Sequence, residues 1–356
     1  MRIALVSDAW LPQINGVVTT YQNLRAQLLK RGHEFHVIHP GHFSNIPCPM
    51  YTSLRLAVFV RRRLERYLNI ADFDVVHIAT EGPLGWAARR WCLKNDFPFT
   101  TSYHTQFPQY LNRYIGMPQK PVYELMRRFH APAVKTFVPT PSVRNELRER
   151  GFDNLTVWTR GVDSERFYPG QRTEFLGVNG PLFLYCGRVA KEKGIEKFLE
   201  LDLPGTKVVI GDGPQMPALQ KRFPGVIWTG FLQGEELAKS YRSADVFVFP
   251  SETDTFGVVQ LEALASGLPV AALPVTGPRD VLTDPKAAVL SWDLREACLK
   301  CLALNKEDAV AFGRGFRWEK VADMFVQSLK PAASHQRGKV QESSLGAFVS
   351  AASRPF

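Results

Sequence analysis

No stretch of the 356-residue chain stays apolar for the roughly 18 residues that a membrane-spanning helix requires, so the sequence carries no helical membrane span. The opening MRIALVSDAW reaches Ser7 and Asp8 too soon for a secretory leader and reads instead as a first strand, which points to a cytoplasmic protein. Cysteine is scarce, with five scattered residues. Cys298 and Cys301 form a lone C-x-x-C, and no second pair exists to complete a four-ligand zinc site. The pair therefore reads as one face of a helix. No G-x-G-x-x-G follows the first strand, which argues against a dinucleotide-dependent dehydrogenase. The basic residues accompany no nucleic-acid reading motif, so a nucleic-acid partner is not expected.

What is present is an ordinary globular composition, 45% hydrophobic and 22% charged, at a length that suggests two domains. The formal charge of +10 is lopsided: residues 1–170 hold 22 Lys and Arg against 13 Asp and Glu, whereas residues 171–356 hold 22 against 21. A basic first half beside a neutral second half implies an anionic surface partner for the first half alone.

Short apolar runs alternate with helical patterns along the whole chain, as in an α/β protein with parallel sheets. Residues 2–7 form the first strand. A loop then leads to a helix expected over 20–31, and Gly16 stands where loop meets helix. A glycine there either lets backbone approach a ligand or serves a simple turn. Residues 52–70, TSLRLAVFVRRRLERYLNI, alternate apolar side chains with Arg55, Arg61, Arg62, Arg63 and Arg66. Such a basic amphipathic stretch either lies on an anionic membrane, each cation adding about 1 kcal/mol, or is a solvated face whose apolar side meets the core. Asp72 and Asp74 mimic the D-x-D of metal-dependent sugar transferases, but they run straight into the strand VVHIAT, so Asp74 reads as a strand entry.

His104 follows another apolar run, again at the carboxyl end of a strand. Tyr103, Phe107, Tyr110, Arg113 and Tyr114 give it an aromatic, basic surround suited to an acceptor cleft. The first half closes on WTRGVD (158–163), and the Pro- and Gly-bearing residues 165–181 read as a linker. In the second half, Arg188 and Lys193 follow a strand and precede a helix, a place where two cations suit a diphosphate. Gly211-Asp212-Gly213-Pro214 forms a turn against which a flat base can lie. Residues 250–270 then give a loop and a helix apolar nearly all round except for Glu262, eight residues after Asp254. These acids either border an anion-binding helix start or act as an N-cap and an arginine partner.

CGRVAKEKG, GDGP, SADVFVFPS and DTFGVVQLEALASGLPV, together with VVHIAT and SYHT, resemble the retaining glycosyltransferases of family 4. The resemblance implies an α/β GT-B fold, two Rossmann-like doubly wound domains facing an interdomain cleft. Residues 1–168 would form the acceptor domain and 169–315 the nucleotide-sugar domain. Residues 316–330 would be a helix returning to the first domain, and 331–356 a disordered tail. TDTFG, YHT and W-x-R-G-V-D are similar to the branch of GDP-mannose-dependent α-mannosyltransferases and sulfoquinovosyl- or glucosyl-lipid synthases. The chain departs from the wider family in having Asp254 where many members carry Glu, and Asn15-Gly16 where many carry Gly-Gly.

Carried over residue by residue, the resemblance implies catalytic roles for His104, Arg188, Lys193 and Asp254. Donor binding would fall to Gly16, Arg188, Lys193, Gly211, Gly213, Asp254, Phe256, Gly257 and Glu262, with the last on the ribose. Arg55, Arg61, Arg62, Arg63, Arg66, Tyr103, Tyr110 and Arg113 would serve acceptor or membrane. The implied reaction moves a hexosyl group from GDP-mannose or a UDP-hexose to a hydroxyl of a lipid or saccharide. It runs by same-face attack, without metal or other cofactor and with peripheral contact to an anionic membrane. A sugar-nucleotide epimerase or hydrolase of the same fold, or a non-catalytic binding module, is the alternative.

Overall fold

The computed structural model describes residues 1–48, 51–171, 178, 180–333 and 336. The first half supplies β1 (Arg2–Val6), β2 (Glu34–Ile38), β3 (Asn45–Cys48), β4 (Tyr51–Ala57), β5 (Val75–Ile78), β6 (Phe99–Ser102), β7 (Lys135–Val138) and β8 (Leu155–Val157). Its helices are α1 (Gly16–Lys30), α2 (Val60–Ile70), α3 (Pro83–Lys94), α4 (Phe107–Ile115), α5 (Gln119–His130) and α6 (Pro141–Glu149). Six strands form a parallel sheet in the order β2-β1-β5-β6-β7-β8, and β3 and β4 form a separate antiparallel hairpin. Every residue of β5 is buried, because helices cover both faces of the sheet and leave no side to water.

The second half repeats the plan with β9 (Leu182–Cys186), β10 (Thr206–Ile210), β11 (Ile227–Gly230), β12 (Val246–Phe249), β13 (Val270–Ala272) and β14 (Ala288–Leu290). These form a parallel sheet ordered β11-β10-β9-β12-β13-β14. Around it lie α7 (Ile195–Leu199), α8 (Met216–Arg222), α9 (Gly234–Ser243), α10 (Val258–Ala265), α11 (Thr276–Val281), α12 (Leu294–Cys301) and α13 (Lys306–Gly313). The fold is thus α/β with two Rossmann-like sheets. Part of the expected linker, 172–177 and 179, lies outside the described residues, as does nearly all of the expected tail, 334–335 and 337–356.

Two local expectations are corrected. Helix α1 starts at Gly16 rather than at 20, because the Asn15 side-chain Oδ1 accepts from the backbone N–H of Val17 (3.0 Å) and Val18 (3.1 Å). The stretch 52–70 is not one amphipathic element. Arg55 sits on β4 and donates to Asn45 Oδ1 at 2.7 Å, whereas Arg61, Arg62, Arg63 and Arg66 stand exposed on α2. Phe59 separates the two with a left-handed φ of 53° and 95% of its surface exposed.

The chain returns to its first domain through α14 (Trp318–Ser328). Trp318, Val321 and Phe325 enter the core of Ile3, Leu5, Tyr21 and Trp158. The Trp158 indole N–H donates to the Val321 carbonyl at 3.0 Å, and the Phe325 ring packs on those of His77, Phe137 and Trp158. Truncating a fully buried Phe removes its contacts and leaves a cavity, so Phe325→Ala is expected to cost about 3–5 kcal/mol in denaturant unfolding. A loss below about 1 kcal/mol would mean that α14 is not part of that core.

Candidate active site

In the second sheet the strand order reverses between β9 and β12, and the loops leaving their carboxyl ends face each other. After β9 come Gly187, Arg188 and a single 3-10 turn, Lys191–Lys193. After β12 comes loop 250–257, which delivers the chain to α10. Gly257 occupies the N-cap of α10 with φ +80°, and a Cβ there would approach the Phe249 ring to 2.7 Å. Glycine is needed on both counts.

Because Gly257 takes the cap position, Asp254 does not. Its Oδ1 accepts from Lys193 Nζ at 2.5 Å, and its Oδ2 is buried without a protein donor among the described residues. Burial pulls the Lys193 ammonium down, but Asp254 and Tyr110 beside it outweigh burial and raise its pKa above the ordinary lysine value. Arg188 pairs with Glu192, a fully buried carboxylate that also receives the hydroxyl of Tyr114 from the first domain.

Glu262 lies on the second turn of α10. Its Oε2 accepts from the Tyr241 hydroxyl at 3.0 Å, so its partner is a tyrosine rather than an arginine. Burial raises its pKa to about 7, with the Tyr241 bond and the Arg166 charge pulling the other way. Gly211 and Gly213 bring the turn after β10 against the loop after β9. A Cβ on either would meet the carbonyl oxygen of Gly187 (2.0 Å) or Val189 (2.3 Å). Backbone therefore lies bare beside Arg188.

The first domain closes over this edge. The Thr255 hydroxyl donates to the His104 carbonyl at 2.9 Å, and Arg113 pairs with Glu252 at 3.3 Å. Asp280 of α11 accepts from the Ser142 backbone N–H and hydroxyl, each at 2.7 Å, at the start of α6. Gly16 is exposed, and a Cβ there would meet nothing within 4 Å.

Residues 14–166 match the domain described as Glycosyltransferase Family 4, and residues 180–304 match Glycosyl transferases group 1. The chain is 34% identical to a GDP-mannose-dependent alpha-mannosyltransferase of Mycobacterium tuberculosis, over 82% of this chain and 83% of that protein. It is 30% identical to an alpha-monoglucosyldiacylglycerol synthase of Acholeplasma laidlawii, over 76% of this chain and 79% of that one. Sucrose-phosphate synthase from Thermosynechococcus elongatus superposes with a TM-score of 0.73 at 21% identity, covering 92% of this chain and 97% of the other, a likeness of fold alone. The chain is a family 4 glycosyltransferase. It is an enzyme that transfers a sugar from a nucleotide sugar, and the fold is GT-B.

In this transferase Arg188, Lys193, Asp254, Phe256, Gly257, Glu262, Gly211 and Gly213 gather along one edge of the second sheet. His104 meets them from the first domain, and Tyr110 and Arg113 stand at the same boundary. Tyr103 departs from the expected cleft lining: it extends β6, whose residues are all buried, and packs under α5 against Val122 and Met126 and beside Val138. Asp74 Oδ2 accepts from the Arg2 backbone N–H at 2.8 Å, tying β5 to β1. Among the described residues no cluster of three or more His, Cys, Asp or Glu is placed to hold a metal ion, and no helix is long and apolar enough to cross a membrane.

Sequence reasoning missed Glu192, Tyr241, Tyr21 and Arg160. Glu192 and Arg160 stand inside quoted motifs and lacked only a partner. Tyr21 and Tyr241 occupy core positions of helices, where spacing says burial and nothing about a hydroxyl.

A carboxyl group whose folded pKa, about 7, exceeds the ordinary 4.5 supplies stability that is full below the lower value and lost as pH rises through the higher one. The thermal midpoint of Glu262→Gln is accordingly expected to fall less than that of the wild type between about pH 5 and about pH 8. Parallel curves in a melting series would remove the buried carboxyl from that role.

Proposed function

We propose that this transferase is a retaining hexosyltransferase that needs no metal. It would use GDP-mannose or a UDP-hexose and glycosylate a hydroxyl of a membrane lipid. The observation that carries the reading is the pairing of Lys193 with Asp254 beside Arg188, at the reversal point of the second sheet. The cations take the donor diphosphate in place of Glu192 and Asp254, and the released Asp254 turns to the sugar. Backbone N–H groups of Phe256 and Gly257 assist it, Glu262 accepts from the ribose hydroxyls, and Gly16 faces the donor from the opposite domain.

In the transfer step the bond from the sugar C1 to the phosphate oxygen breaks, and the bond from C1 to the acceptor oxygen forms on the same face. The acceptor proton passes to the departing phosphate oxygen. Arg188 and Lys193 stabilise the charge growing on that phosphate more in the transition state than in the ground state, which is the condition for acceleration. They supply the positive charge that a divalent cation supplies in metal-dependent transferases. No carboxylate nucleophile is required, unlike in the double displacement of retaining glycosidases.

The lipid acceptor rests on two supports. One is the likeness to a diacylglycerol glucosyltransferase reported above. The other is the exposed Phe59 beside Arg61 and Arg62, an aromatic next to cations of the kind that seats a protein on an anionic bilayer.

The test supplies GDP-mannose and UDP-glucose to the full chain with anionic vesicles containing diacylglycerol, with and without EDTA. Labelled α-hexosyl lipid that persists in EDTA is the expected product. Free hexose alone would favour a hydrolase, and activity lost in EDTA and restored by Mn²⁺ would overturn metal independence. Arg188→Ala and Lys193→Ala are expected to lower kcat by about 10²–10³ with the fold intact. Turnover equal to wild type would sink the phosphate assignment.

A further inference from the structure

Both ring nitrogens of His104 are engaged. Arg160 Nη2 lies 3.0 Å from Nδ1. A guanidinium only donates, so Nδ1 accepts and the ring proton belongs on Nε2. From there it is given to the Tyr21 hydroxyl at 2.9 Å. Tyr21 donates in turn to Ser102 Oγ at 2.9 Å, with His77 Nε2 at 2.8 Å, and His77 Nδ1 meets Thr100 Oγ1 at 2.7 Å. Tyr21, His77 and Ser102 are wholly buried, so this network has no water to relax into.

Arg160 is itself 4% exposed. Its Nη1 donates to the carbonyls of Trp158 (2.6 Å) and Thr159 (3.0 Å). Its guanidinium lies 4.6 Å from the Trp158 ring and 5.9 Å from that of Phe256, which belongs to the opposite domain. Among the described residues no carboxylate pairs with it. A buried cation without a counter-ion is costly, and this one is spent on orienting an imidazole at the domain boundary.

We propose that Arg160 is a positioning residue of the transfer site: it fixes His104 as the neutral imidazole protonated on Nε2 and seats that ring against loop 254–257 through Phe256. The proposal rests on the reading of that loop as the one that holds the transferred sugar. The groups facing His104 are Arg160, Tyr21 of α1, His77 of β5 and His130 of α5, and none is an acid. Burial first, and then the charges of Arg160, His77 and His130, hold its pKa well below the ordinary histidine value. Same-face transfer sends the acceptor proton to the departing phosphate oxygen. A basic imidazole beside that path would compete for the proton, and a fixed neutral one, with Nδ1 already occupied, does not.

The test is a ¹⁵N spectrum of the imidazoles of the full chain labelled at histidine, with the His104 signal assigned from its absence in His104→Gln. His104 is expected to show a protonated Nε2, an accepting Nδ1 and no titration from about pH 5.5 to about pH 8. Titration in that range, or a proton on Nδ1, overturns the proposal on the wild type alone, whatever the variants do. Arg160→Met is expected to release Nδ1, so that the His104 signals no longer report one fixed tautomer, and to lower kcat by about 10²-fold. It should leave the affinity for GDP and UDP within about twofold, because Arg188, Lys193 and Glu262 are untouched. Arg160→Lys, which can still donate to Nδ1, is expected to recover part of kcat. Equal losses in kcat and nucleotide affinity would make Arg160 a donor ligand instead and defeat the positioning role. The tautomer readout needs no substrate, so its outcome is separate from that of the lipid-transfer reading.

Discussion

Two cations at one strand end, each held by an acid, set the terms for the rest of the molecule. Lys193 and Asp254 touch at 2.5 Å, and Arg188 meets the buried Glu192. At an effective dielectric near 20, such a pair is worth roughly 4 kcal/mol of Coulomb energy at 4 Å. Much of that is offset by desolvation of both partners. The cations can therefore sit in a partly dry cleft without being locked there. In the reading proposed above, an anionic ligand binds by exchange, taking the cations while the acids turn elsewhere. On that reading Asp254, which balances Lys193, turns to the sugar and becomes one of its ligands.

The same exchange bears on domain movement. Glu192 receives Tyr114 from the first domain, and Glu252 receives Arg113. The Arg113–Glu252 pair is substantially exposed, and ion pairs of that kind contribute little each. Thr255 to His104 and Ser142 to Asp280 join the two domains by hydrogen bonds. Interfaces of that composition open at low cost. What does not open is the docking of α14, whose Phe325 is fully buried in the first domain's core.

Much of this was legible in the sequence, for physical reasons. Parallel strands covered on both faces must be continuous apolar runs, so VVHIAT, LFLYC and DVFVF announce themselves. Glycines whose Cβ would strike backbone, Gly211 and Gly213 above all, punctuate the loops that border ligands. Charge pairs, by contrast, are properties of three dimensions. Nothing in GRVAKEKG says that Glu192 turns inward under Arg188, and nothing local gives Glu262 a tyrosine 21 residues upstream. The arginines of 52–70 looked like one face because alternation in a strand and periodicity in a helix blur over so short a run. The hairpin β3–β4 and the exposed Phe59 separate them. Tyr103 differs for the opposite reason: beside a loop it reads as surface, yet both faces at the end of β6 are covered and α5 lies over it.

The two sheets share a plan but divide the chemistry. At the reversal between β1 and β5 the first domain also carries a carboxylate, Asp8, whose pKa burial raises to about 6. That acid is consumed at home, accepting from the backbone N–H groups of Leu84 (2.9 Å) and Gly85 (3.3 Å) at the start of α3 and from the Thr80 hydroxyl (2.8 Å). Among the described residues no cation pairs with it, and the place that parallels the Lys193–Asp254 edge is taken by a helix cap. What this domain presents to the cleft instead is the His104 ring and carbonyl with Tyr21 and Arg160 behind them, and the Arg113 guanidinium paired with Glu252. In the reading proposed above, a proton leaves one substrate oxygen for another with no protein base between, and an imidazole held fixed by Arg160 suits that step.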